Sequence, residues 1–115
     1  MKLEPAEGFD CVYPGDPRAR AWGFTPERWE GSYLAKEEGR VLLSLLQASS
    51  PGKGYLRDLV AGIEAEGLRV AVPTPLGRMV EILRRWGFVP HTEHDELFGP
   101  VEVWERARPG LLGLP

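Results

Sequence analysis

A chain of 115 residues fits one domain and leaves no room for two. A hydrophobic share of 43% supports one globular core without staples, and the single cysteine, Cys11, excludes an intrachain disulfide. Lys and Arg number 14 against 17 Asp and Glu, a net charge of -3 with no long run of like charge, which excludes a general nucleic-acid or membrane surface.

The opening Met1-Lys2-Leu3-Glu4-Pro5 lacks the apolar core of a signal peptide, so a cytoplasmic location is expected. Residues 1–30 are the least regular. Phe9–Tyr13 reads as a short strand ended by the turn Pro14-Gly15-Asp16-Pro17, and Thr25-Pro26-Glu27 as the opening of a short helix. Ser32–Lys36 and Arg40–Gln47 form two strand-like runs joined by Glu37-Glu38-Gly39, as in a hairpin. The second run is apolar on both faces and predicts a central strand covered on both sides; its apolar stretch, Val41 to Leu46, is far too short to span a bilayer.

A small-residue loop, Ala48 to Gly54, follows. Leu56, Leu59, Val60 and Ile63 then repeat at helical spacing, with Gly67 placed to end the helix. Leu68–Val72 reads as a strand closed by Pro73. Thr74-Pro75 supplies a capping hydroxyl before a proline at the first helical position, and Leu76, Met79, Val80 and Leu83 share one helical stripe. Arg78, Glu81, Arg84 and Arg85 occupy the other face, and Gly87 stops the helix. Val101–Glu105 is the last strand, and the tail from Arg108 is irregular. This order predicts a mixed α/β sheet with an antiparallel N-terminal hairpin, a central parallel pair and flanking helices.

Pro51-Gly52-Lys53-Gly54 joins a buried strand to a helix start, where backbone N–H groups and the helix dipole favour an anion. Glycine lets the backbone approach phosphate oxygens closely, and Lys53 adds charge. A tight turn with no ligand fits the same residues. The loop is neither a Walker loop nor a dinucleotide fingerprint, because the spacing of both patterns is missing.

Pro51-Gly52-Lys53-Gly54-Tyr55-Leu56, the helix after it, Leu68–Val72 and the helix ending Ile82-Leu83-Arg84-Arg85-Trp86-Gly87-Phe88 together resemble the acetyl-CoA half of GNAT-type N-acetyltransferases. That family reads Arg/Gln-x-x-Gly-x-Gly/Ala in the loop and Asn-x-x-Ala-x-x-Leu-Tyr-x-x-x-Gly-Phe further on. The resemblance covers residues 31–105 as an acetyl-CoA-binding core, leaving 1–30 as a shortened acceptor side and 106–115 as a tail. It implies that the backbone of Gly52, Lys53, Gly54, Tyr55 and Leu56 holds the pyrophosphate, and that Leu46 presents its backbone to the pantetheine arm and thioester carbonyl. It also implies a splay between the central strand and Leu68–Val72. The activity it implies is direct acetyl transfer from acetyl-CoA to an amine; the alternative is a non-catalytic module of the same fold holding CoA or a protein partner. A homodimer is compatible with either. The chain departs from the family at Pro51 for Arg/Gln, Leu56 for Gly/Ala, Leu76 for Asn, and Leu83 for the Tyr that protonates the departing thiolate.

His91 and His94 lie in a polar run that reads as a solvated loop; their spacing does not match a zinc pair, so no metal is expected, although His91 or His94 offers a base. Tyr55 is the loop's own titratable hydroxyl and, with His91, the candidate for proton transfer. Tyr33 reads better as a half-buried aromatic, and Glu37 and Glu38 as turn residues. Trp22, Trp29, Trp86 and Trp104 are candidates for an acceptor pocket, with core or helix-face packing the better reading of Trp86 and Trp104. Cys11 has no histidine near it in sequence to make it an acyl carrier.

Overall fold

A computed structural model of the chain describes residues 10–106. They form a mixed α/β fold on a six-stranded mixed sheet. In chain order the elements are β1 (Asp10–Val12), a 3-10 helix (Pro17–Trp22), β2 (Tyr33–Glu37), β3 (Arg40–Leu45), α1 (Tyr55–Ala65), β4 (Arg69–Pro73), α2 (Arg78–Arg85), β5 (Val89–Asp95) and β6 (Gly99–Arg106). The sheet order is β1-β2-β3-β4-β6-β5, with β3 and β4 the parallel pair at its centre and every other pairing antiparallel. Phe9 and the tail expected from Arg108 lie outside the described residues, as do positions 1–8.

Two irregularities mark the centre of the sheet. Between β2 and β3 the register moves from Ala35↔Leu42 to Tyr33↔Leu45, so β3 carries one extra residue, a bulge, after Leu42. The register between β3 and β4 runs from Arg40↔Arg69 to Leu42↔Ala71, although β3 continues to Leu45 and β4 to Pro73. Both irregularities begin at Leu42.

Strand alternation sorts the side chains into two faces. Val12, Leu34, Val41, Leu43, Val70, Val72 and Trp104 join Leu59, Val60 and Ile63 of α1, Leu83 of α2 and Ala19 and Trp22 of the 3-10 helix in one core. Both helices and the 3-10 turn therefore contribute to the same side of the sheet. Ala35, Ala71 and Val103 are buried outside that core, on the side that carries Arg40, Leu42 and Glu105. The expectation that β3 is covered on both faces is thus corrected: Val41 and Leu43 are buried, while Leu42 is only half-buried.

Three further expectations change. The early helix is not at Thr25 but at Pro17–Trp22, where the Asp16 side chain accepts from Arg18 N–H and Pro17 opens the turn. Thr74 does not cap α2: it adopts φ 43 and donates its N–H to Glu102 O at 2.8 Å, and the helix starts at Arg78 after Gly77. The segment around His91 and His94 is not a loop but the edge strand β5, paired with β6 from Val89↔Glu105 to Asp95↔Gly99. An edge strand with water on most of its surface needs no apolar alternation, which is why its polar sequence disguised it.

Ser32 is the one buried polar residue among those described, and it is fully used. Its hydroxyl donates to Glu30 O at 2.9 Å and accepts from Gln47 N–H at 2.8 Å, tying the entry of β2 to the exit of β3. Among the described residues no helix is long and apolar enough to cross a membrane.

Candidate functional site

Helix α1 starts directly after a glycine turn. Gly52 and Gly54 have φ 85 and 82, a left-handed conformation that a residue with a Cβ adopts only at a cost. Gly54 is the N-cap and brings no side-chain cap, so the first N–H groups of α1 have neither an intrahelical nor a capping acceptor, and the positive end of the helix faces outward.

Around this turn lies a cavity of about 470 Å³ lined by Gly52, Lys53, Gly54, Tyr55, Leu56 and Arg57, with Trp29, Ala48 and Ser50 beside them and Arg78, Ile82 and Trp86 of α2 opposite. Tyr55 meets Trp29 edge to face, centroids 6.3 Å apart, and the Arg28 guanidinium stands 4.6 Å above the Tyr55 ring. Arg28 is bonded to Asp58 at 2.9 Å. Lys53, Arg57 and Arg78 have no ion-pair partner among the described residues, and the lining contains no carboxylate. The cavity is an electropositive pocket with aromatic walls.

A second cleft, about 590 Å³, opens on the other side of the sheet. Leu42, Pro73, Phe98, Pro100, Val101 and Val103 form its apolar part, and Glu37, Arg40, Thr74, Glu93, His94, Asp95 and Glu102 its polar part. Leu42 is the last β3 residue in the β3–β4 register, and Pro73 lies on β4 beyond it. This cleft thus lies at the end of the β3–β4 register, whereas the loop cavity is lined by the turn and by residues of α1 and α2.

Beside this cleft, Arg40 joins four strands. It donates to Glu37 at 2.6 Å, to Glu93 at 2.7 and 2.8 Å, and to Glu105, which also accepts from Arg69 at 3.0 Å. His91 Nε2 lies 2.7 Å from Glu93. The ligand atoms of His91, Glu93 and Glu105 fall within 4.8 Å of one another, a spacing that suits a divalent cation, but the Arg40 guanidinium already occupies both carboxylates. The Arg40 hydrogen bonds, helped by His91 and opposed by burial, hold the Glu93 carboxyl at about 2, below its ordinary 4.5. A carboxylate with a depressed folded-state pKa stabilises the fold fully above its unfolded value and loses that contribution as it is protonated. The melting temperature is therefore expected to fall between about pH 4.5 and 2, and Glu93→Gln to flatten that part of the profile. An unchanged acid limb in the variant shows that Arg40 does not hold Glu93 in this way.

The structure brings together five of the residues the sequence singled out, Gly52, Lys53, Gly54, Tyr55 and Leu56. Leu46 follows the bulged end of β3, packs against the core and lines neither cavity. His91 is held on β5 by Glu93 and lines neither, whereas His94 lines the larger cleft. Trp22 and Trp104 are buried in the core, Trp22 donating from Nε1 to Glu66 at 2.7 Å, while Trp29 and Trp86 line the loop cavity. Trp86 also packs, partly buried, against the core, as expected for a helix-face aromatic. Leu83 is wholly buried in the core, so a tyrosine there would have to bury its hydroxyl among apolar neighbours. Cys11 pairs with Ala35 on β2. Arg57 and Arg78 were missed because both read as the solvated faces of amphipathic helices; the signal available was their position in the first turn after a loop.

No family model, curated protein or solved structure matches the chain.

Proposed function

We propose that the protein is a small GNAT-type N-acetyltransferase that binds acetyl-CoA at the glycine turn and transfers the acetyl group to an amine. The observation that carries this reading is the uncapped start of α1 after the Gly52 and Gly54 turn, set in a cavity lined by Lys53, Arg57 and Arg78; the β3–β4 register ends at Leu42↔Ala71, where the open cleft lies. The pyrophosphate lies at the start of α1, against the N–H groups of Tyr55 and Leu56, and the acyl arm enters the gap between the strand ends. The bulge after Leu42 supports this, because an extra residue re-aims the following backbone groups and frees them from the ladder.

The amine approaches from the cleft beyond Leu42 and Pro73. Its nitrogen attacks the thioester carbonyl, the new C–N bond forms, the C–S bond breaks, and the sulfur leaves as thiolate. The amine's proton passes to His94, the imidazole in that cleft, and the thiolate takes its proton from water. The chain contributes proximity and fixed dipoles rather than a covalent intermediate.

The second reading is a non-catalytic module holding CoA. It is favoured by Leu83, which has no exposed surface where the family has a tyrosine acid. Thermal unfolding with acetyl-CoA, CoA and ATP tests both, since a ligand that binds only the native state raises its melting temperature. The expected result is a rise with acetyl-CoA and CoA, followed by thiol release when an amine panel is added. A rise without thiol release favours the module. No rise with either thioester or thiol overturns both readings.

A further inference from the structure

We infer that Arg57 and Arg78, with Lys53, form a side-chain clamp for the phosphates of the bound ligand, so that this pocket selects ligands by phosphate charge. The inference rests on the reading of the loop cavity as the acetyl-CoA site and names the part of the ligand that determines affinity.

The turn is short of backbone donors. Pro51 has no N–H, and Leu56 puts a bulky side chain into the first turn of α1, half-buried in the same lining. Side chains supply the missing charge. The Arg57 guanidinium folds back over the turn: its Nη2 lies 3.1 Å from where a Cβ on Gly54 would stand. Arg78 opens α2 and faces the cavity from the opposite wall, and Lys53 sits at the apex of the turn.

Two acids on α1 beside Arg57 are already engaged elsewhere. Asp58 is bonded to Arg28, and Glu64, which shares a shallow neighbouring groove with Arg57, is held bidentately by Arg106 at 2.7 and 3.0 Å. Three cations without partners around one cavity repel one another, and a bound polyphosphate removes that repulsion. Arginine forks match phosphate oxygens two at a time, which makes such contacts stronger than neutral hydrogen bonds.

Calorimetry on the full chain tests the clamp with CoA, dephospho-CoA, ADP and pantetheine, at low and high salt. CoA is expected to bind more tightly than dephospho-CoA, pantetheine to show no measurable binding, and salt to weaken CoA. Arg57→Gln and Arg78→Gln are each expected to weaken CoA about tenfold or more, and Arg57→Lys by less, because it keeps the charge and loses the fork. Both arginines are exposed and unpaired among the described residues, so the melting temperature of each free variant should match the parent. If pantetheine binds as tightly as CoA, or both Gln variants bind CoA like the parent, the clamp is overturned while the acetyl-CoA reading stands. If ADP binds in an arginine-dependent way and CoA no tighter than ADP, the clamp stands and the acetyl-CoA reading falls. Binding of none of the four overturns both.

Discussion

Gly54→Glu is expected to abolish CoA binding while leaving the chain folded. Three effects act together at this position. The φ of 82 is strained for any residue with a side chain, at about 1–2 kcal/mol. The new Cβ meets the Arg57 guanidinium at 3.1 Å and pushes it off the turn. The carboxylate then sits at the positive end of α1, where it would pair with the cations proposed to hold phosphate and repel that anion. The turn contributes little to the core, so the unliganded melting temperature should fall only modestly. Gly54→Ala separates the effects, because it keeps the strain and removes the charge; it should bind CoA more weakly than the parent and better than Gly54→Glu. Parental affinity in Gly54→Glu, read by calorimetry, removes the pyrophosphate from this turn.

The second large effect is on stability, at Gly62 in the middle of α1. A helical Gly→Ala change ordinarily stabilises by about 1 kcal/mol. Here the added Cβ would stand 2.6 Å from the Trp22 Cα and 3.2 Å from the Ala21 carbonyl oxygen, both main-chain atoms of the 3-10 helix. Main chain cannot rotate aside as a side chain can. Gly62→Ala is therefore expected to lower the melting temperature, since overpacking costs about 1–3 kcal/mol and outweighs the propensity gain. For a domain of this size each kcal/mol corresponds to roughly 4–8 °C. Gly62→Val should cost more and also loosen the Trp22–Glu66 hydrogen bond. A melting temperature raised by Gly62→Ala means the 3-10 helix does not dock against α1.

The elements that line the core were legible in the sequence, because burial on one side imposes a period. Leu59, Val60 and Ile63 mark α1, and Val70 and Val72 mark β4, whatever the surrounding residues do. What escaped was what the core does not dictate. β5 carries His91, Glu93 and Asp95 because the edge of the sheet is wet, and polar residues at an edge look like a loop. The start of α2 was misplaced because Thr74-Pro75 resembles a cap, whereas Thr74 is committed to Glu102. The bulge in β3 has no sequence signal, since its residues are Leu and Ser in an apolar run. The glycine turn was legible from its composition. Its guanidinium partners were not, because an arginine on the outer face of a helix looks alike whether it faces water or a cavity.

The short β3–β4 register has a kinetic consequence. Apart from it, the sheet is two antiparallel halves, β1-β2-β3 and β4-β6-β5, each built around a hairpin of sequence neighbours that closes quickly. Joining the halves requires the α1 crossover to bring Arg69 back to Arg40, a long loop closure rewarded by only a few residue pairs. The seam should therefore form late in folding and open first in unfolding. A ligand seated across it acts after the transition state has passed. It would lengthen the lifetime of the folded chain while leaving the rate of folding almost unchanged.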